Sequence, residues 1–233
     1  DMTSHANYYR ELSLEAKRFP GRSSYPGDIF YSHARLMERA GNFEKGSITC
    51  FPVAETVLGD LSGYIQTNLM SMTDGHIYFD IDRYNQGIRP SVNPFLSVTR
   101  VGLQAQTNLI KDTSRQVGSF LVKLENMKDL LHFGAEAGEQ IKATISLGEK
   151  IMAIFQQDTK DTYPINLTLY LIALTWSGIW KDTPTHEVEQ KYVELTTKYS
   201  GNKAFQDEVN KMVAESQTFK DLTAKVKQTS YEG

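Results

Sequence analysis

The chain has 233 residues, with 25 Lys and Arg against 28 Asp and Glu for a formal net charge of −3, and its pI is near 6.0. That length suits one large domain or two small ones with a substantial core, and 40% hydrophobic residues is ordinary for a globular chain. The acidic balance lacks the clustered basic footprint of a nucleic-acid surface, the lone Cys50 excludes an internal disulfide and points to a reducing compartment, and no run of 18 apolar residues offers a membrane span.

The predicted elements begin with a helix. From Ser4 to Phe19, apolar Ala6, Tyr9, Leu12 and Ala16 recur at three- or four-residue steps, with Ser4 placed to cap the first free amides. Pro20-Gly21 breaks the pattern. Pro26-Gly27-Asp28 opens a second helix with Asp28 as cap, a face of Ile29, His33, Leu36 or Met37 and Ala40, and Gly41 as its stop. Residues 47–54 are short, β-rich and mostly apolar, the pattern of a strand buried on both faces of a sheet. Residues 67–72 and 76–81 read as further strands around Thr73-Asp74-Gly75. The aromatic density from Tyr8 to Tyr31 suits core packing, because no basic patch accompanies it for base stacking.

After Gly102 helical periodicity takes over. Residues 104–132 form a long helical pattern with Leu109, Val117, Phe120, Leu121, Leu124 and Leu131 as core candidates, and a second runs from about 136 to 156. Pro164 can start a third through Trp180; its stretch Leu167 to Trp176 is apolar nearly all round and is expected to be internal. Two more helices, 185–199 and 203–228, interleave lysines with acidic residues as a solvated face does. The expected division is an α/β part over residues 1–102 and an all-α bundle over 103–233.

Most chemical signatures are absent. There is no Gly-x-x-x-x-Gly-Lys-Ser/Thr, no Gly-x-Gly-x-x-Gly and no Gly-x-Ser-x-Gly, and His5, His33, His76, His132 and His186 fall in unrelated segments. Asp80 and Asp82 would share one face of a strand, as general acid and base pairs sometimes do, but two solvated carboxylates closing the strand is the better reading. Two arginines stand out between Gly87 and Thr107. Arg89 precedes a proline and Arg100 lies between a β-branched run and a glycine, so each is aimed from backbone with little freedom.

A resemblance gives these residues a setting. Tyr25-Pro-Gly-Asp-Ile-Phe-Tyr31 with Ala34-Arg-Leu-Met-Glu-Arg-Ala40, then Glu55 to Tyr64, Thr67-Asn68, Ser71-Met-Thr-Asp-Gly75, Gly87-Ile-Arg-Pro90, Ser97-Val-Thr-Arg-Val-Gly102 and Gln104 to Thr107 come in order, and the chain resembles the α subunit of the rotary F-type ATP synthase. The match is multi-motif to about residue 160 and mainly helical length and position beyond. It implies roughly the second half of an α subunit: part of a RecA-like nucleotide domain lacking its P-loop, followed by the C-terminal helical bundle.

The resemblance also implies roles. Arg100 matches the arginine that reaches the γ-phosphate in the catalytic site of a neighbouring β subunit. Arg89, Tyr84 and Gln157 match the adenine pocket of the α subunit's own, non-catalytic site; Tyr84 replaces the usual Phe, and Thr159 and Gln66 replace a usual glutamine and proline. Asp1 matches a carboxylate of the magnesium shell. ATP or ADP with Mg²⁺ are the implied cofactors of the intact subunit, with none expected on this stretch alone. The implied partners are β subunits in an alternating hexamer and the central-stalk γ subunit, with a membrane met only through the assembled, proton-translocating complex on the bacterial cytoplasmic or the organelle matrix or stroma face. The alternatives are an α-like subunit of a motor not coupled to protons, or a helical interaction module that has lost nucleotide binding.

Overall fold

The structure, a computed structural model, describes residues 1–132 and 138–231. The chain divides into two units, one formed by Asp1–Arg83 with Val92–Gly102, the other by Tyr84–Ser91 with the chain from Leu103 onward.

In the first unit α1 spans Met2–Glu15. Its cap is Asp1 rather than Ser4: the Asp1 carboxylate accepts the Ser4 N–H at 3.0 Å and the Ser4 hydroxyl at 2.7 Å. A carboxylate three residues ahead of a free amide satisfies that donor and meets the positive end of the helix dipole. The helix stops short of the expected Phe19, and Lys17 already has left-handed backbone, φ 56°. α2 spans Ile29–Met37 and buries Ile29 and His33, four residues apart on one face.

The strand at residues 47–54 does not form. Only Gly46–Ile48 is a strand, β2, paired antiparallel with β1, Gly41–Phe43, as an exposed hairpin. Among the described residues no third strand joins these two, so residues 49–54 have no ladder to extend. The strand expected at 67–72 is instead α3, Tyr64–Met72. Ile65 and Leu69, at i and i+4, are buried against Met2, Ala6 and Ile29, and a six-residue stretch with three apolar side chains cannot tell that helical face from a strand. The run at 76–81 is reduced to β3, Gly75–His76, and Ile81 starts the short helix α4, Ile81–Asn85. β3 pairs antiparallel with β4, Val98–Thr99, with Gly75 opposite Thr99 and His76 opposite Val98.

Within this unit α1 and α2 meet through two histidines. His5 Nδ1 lies 3.0 Å from His33 Nε2, and burial, followed by the nearby His5, pushes the His33 pKa down to about 4. Tyr9 of α1 also donates its hydroxyl to Asp28, the N-cap of α2, at 2.7 Å, which raises the Tyr9 pKa.

The second unit is helical: α5 Asn108–His132, α6 Glu139–Ile154, α7 Ile165–Trp176, α8 Thr185–Gly201, α9 Lys203–Ala214 and α10 Phe219–Tyr231. The Leu131 side chain and the expected helix start near 136 lie outside the described residues. The single helix expected at 203–228 is two, because the Ser216–Thr218 break frees the α10 amides for other acceptors: Phe219 N–H donates to Asp112 at 2.9 Å and Asp221 N–H to the Thr218 hydroxyl. α7 is the centre, with every residue from Leu169 to Thr175 buried, and it packs against α6, α8, α9 and α10. Trp176 lies edge-on to both Phe120 and Phe219.

A buried polar relay ties α6 and α8 to α7. Thr175 Oγ1 and the Tyr192 hydroxyl are 2.8 Å apart, and Tyr192 donates to the Lys150 carbonyl at 3.0 Å. The Lys150 side chain, 3% exposed, donates Nζ to the carbonyls of Trp180 at 2.8 Å and Lys181 at 3.1 Å. Burial pushes the Tyr192 pKa up to about 12, so this hydroxyl keeps its proton.

Two outcomes follow. The unfolded imidazole of His33 takes up a proton near pH 6.5 that the buried one refuses until about 4, so its contribution to stability is full above 6.5 and falls away as pH drops to about 4. Urea denaturation of wild type against His33→Leu across that window shows a slope that the variant lacks. Lys150→Met leaves the Lys181 carbonyl without its Nζ donor and the Trp180 carbonyl with only the Thr183 N–H at 3.2 Å, and lowers stability by about 1–3 kcal/mol in the same assay.

Candidate functional site

Arg100 leaves the β3–β4 ladder at its end. Gly75 permits the close pairing, because a Cβ there would overlap the Val98 carbonyl. The ladder continues as Arg100 N–H donates to the Asp74 carbonyl at 2.7 Å, and the chain then turns, with Gly102 N–H donating to Thr99 Oγ1 at 2.8 Å. The loop feeding this strand is pinned as well: Asn93 Oδ1 accepts the amides of Phe95 and Leu96, and Ser97 Oγ links Tyr78 N–H to the Asn93 carbonyl.

The Arg100 guanidinium is solvent-exposed and donates Nη1 to the Ser71 carbonyl at 3.0 Å. That oxygen lies in the last turn of α3, where carbonyls have no intrahelical partner and the dipole favours a cation. No carboxylate pairs with Arg100 among the described residues, so the charge stays available.

Tyr84, Arg89 and Gln157 come together in the second unit. The Arg89 guanidinium carbon sits 3.6 Å from the Tyr84 ring centroid, a stacked cation–π contact, while Nη1 donates to the carbonyls of Tyr84 at 2.7 Å and Ile88 at 2.9 Å. The Arg89 carbonyl accepts the Gln157 N–H at 2.8 Å. The result is a planar cation layered on an aromatic ring, an arrangement suited to stacking against a flat heteroaromatic ring.

Gln156 was not among the expected residues and does the most to hold this loop. Its Oε1 accepts the Arg89 N–H at 3.0 Å and its Nε2 donates to the Gly87 carbonyl at 2.9 Å. The only sequence signal for it is its place beside Gln157 after α6.

Asp1 is not brought to Arg100 by any described contact, and both its oxygens are engaged by Ser4. It remains an oxygen donor of the kind that suits magnesium, but one carboxylate is a partial set, and the described residues hold no cluster of three or more His, Cys, Asp or Glu. Asp80 and Asp82 do not form an acid and base pair. Asp80 accepts from the Asn93 carboxamide at 2.8 Å and the Asp82 N–H at 2.9 Å, and the Asn93 bond first of all holds its carboxyl below the usual carboxylate range. Ile81 turns the chain into α4, so the two carboxylates do not share a strand face.

Gln156→Ala removes both side-chain bonds to the loop, each worth roughly 1 kcal/mol. Amide exchange at Arg89 becomes about fivefold faster by hydrogen–deuterium exchange, while α7 amides keep their protection.

Comparison with known proteins places both units. Residues 1–99 match the ATP synthase alpha/beta family, nucleotide-binding domain, and residues 106–231 match the ATP synthase alpha/beta chain, C terminal domain. The sodium ion specific ATP synthase subunit alpha of Acetobacterium woodii is 36% identical over 92% of this chain and 45% of its own length. ATP synthase subunit alpha of Dictyoglomus turgidum is 39% identical over 86% of this chain and 41% of its own length, and that of Aquifex aeolicus 37% over 84% and 40%. The chain thus spans less than half the length of these relatives. With one family region following the other along nearly the whole sequence, the chain belongs to the ATP synthase alpha/beta family.

Proposed function

We propose that this chain is part of the α subunit of a proton-coupled F-type ATP synthase, in which it supplies Arg100 to phosphoryl transfer at a neighbouring β subunit. Residues 1–102 are the later part of the nucleotide-binding domain and 103–233 the C-terminal helical domain. The observation that carries the reading is the state of Arg100: an exposed guanidinium, anchored by main chain at its own amide and through one Nη1 bond, with no carboxylate among the described residues to neutralise it. As the γ-phosphoryl group transfers, charge spreads over its oxygens, and a planar, permanently protonated donor on a stiff support stabilises that charge without reorganising. Proton rather than sodium coupling is the reading kept for the ion, although the Acetobacterium woodii relative is named sodium ion specific.

Tyr84, Arg89 and Gln157 form the adenine side of the subunit's own, non-catalytic nucleotide site. Asp1 adds an oxygen ligand for the magnesium that accompanies ATP or ADP, an ion that offsets phosphate charge when bound. The β subunits and the γ subunit are the partners, and the complex meets the membrane as a peripheral assembly; no described helix is long and apolar enough to cross one.

The test is made on the assembled complex. Arg100→Ala lowers the rate of ATP hydrolysis by roughly 10³ to 10⁵ while assembly persists, and Arg100→Lys recovers little because an ammonium cannot reproduce the guanidinium fork. A rate unchanged in Arg100→Ala overturns the reading.

A further inference from the structure

We propose that Thr99 is the positioning residue for Arg100, so that the aim of the guanidinium is set by one hydroxyl at the start of its own turn. The inference rests on the reading of Arg100 as a donor to a neighbour's phosphate. Arg100 occupies the second place of the four-residue turn Thr99–Gly102. On the upstream side the turn is fixed by the ladder, where Thr99 lies opposite Gly75 and Arg100 N–H donates to the Asp74 carbonyl. On the downstream side the one hydrogen bond that closes it is Gly102 N–H to Thr99 Oγ1 at 2.8 Å.

The two ends also meet by shape. A Cβ at Gly102 would overlap Thr99 Oγ1 and crowd its Cβ and Cγ2, so with threonine at 99 the turn closes only around a glycine at 102. Threonine suits the task because its β-branched side chain is stiff about χ1 and carries the acceptor. Thr99 spends that oxygen on its own turn and acts on the phosphate only through Arg100. Opening the turn swings Arg100 away from the line set by Asp74 and Ser71, and a misplacement of about 1 Å at a reacting group costs about a hundredfold in rate.

The experiment uses the assembled complex with full-length α and β subunits carrying Thr99→Val, Thr99→Ser, Arg100→Ala or Thr99→Val with Arg100→Ala. Thr99→Val, of the same shape but without the acceptor, lowers kcat for ATP hydrolysis about a hundredfold with KM for ATP unchanged. Thr99→Ser, which keeps the hydroxyl, retains the wild-type rate. In the Arg100→Ala background Thr99→Val has no further effect, because both changes remove the same interaction. A wild-type kcat in Thr99→Val beside a slow Arg100→Ala overturns the positioning role and leaves the arginine's role standing, and so do losses that multiply in the double variant. A wild-type kcat in Arg100→Ala overturns both. Thr99→Ala, which lacks the hydroxyl and adds no bulk, is the second variant; failure of both hydroxyl-free forms to assemble where Thr99→Ser assembles assigns the residue to folding and overturns the proposal.

Discussion

Carbonyl oxygens at helix ends and turns have free accepting capacity, and in this chain cationic side chains donate to them at three places that matter. Lys150 serves Trp180 and Lys181, Arg89 serves Tyr84 and Ile88, and Arg100 serves Ser71. A carbonyl dipole orients a cation without cancelling its charge, whereas a carboxylate would do both. The ion pairs among the described residues, Arg115 with Asp112, Lys211 with Glu215 and Lys225 with Asp221, are all local, three or four residues apart, and involve none of these three. Arginines held in this way keep a full charge.

The same device has different consequences in the two units. In the helical unit Lys150 is buried, so its bonds to carbonyls offset the cost of taking an ammonium out of water and lock the α6 region to the turn after α7. In the first unit the supports are short: two-residue strands, a four-residue turn and a small core around Ala6, Ile29 and Ile65. Large apolar side chains there remain in solvent, Leu58 fully and Phe19 at 97%. Precision at Arg100 therefore comes from main-chain hydrogen bonds and the fit of glycines 75 and 102, since bulk packing contributes little beside it.

Legibility followed the length of the periodic signal. The apolar stretch of α7 is internal as its composition requires, and Pro164 and Pro184 stand at the N-caps of α7 and α8. Short apolar runs were ambiguous: residues 67–72 satisfy a strand pattern, yet Ile65 and Leu69 are buried as a helical pair once Met2, Ala6 and Ile29 face them. Residues 49–54 have strand composition without a strand to pair with. Gln156 could not be distinguished from its neighbour, because what sets it apart is a reach of 67 residues back to the Arg89 amide.

The sequence by itself determined the class of the chain, an α/β part followed by a helical one, and it marked Arg89 and Arg100 through the residues that stiffen them. These are local properties: periodicity over ten or more residues, a proline after Arg89, a β-branched run before Arg100. Only the tertiary structure decided what each arginine leans on. Stacking on Tyr84, the clamp from Gln156, the Ser71 carbonyl and the Thr99 to Gly102 closure are distances between groups, and directional bonds of about 3 Å depend on backbone placement that composition does not encode.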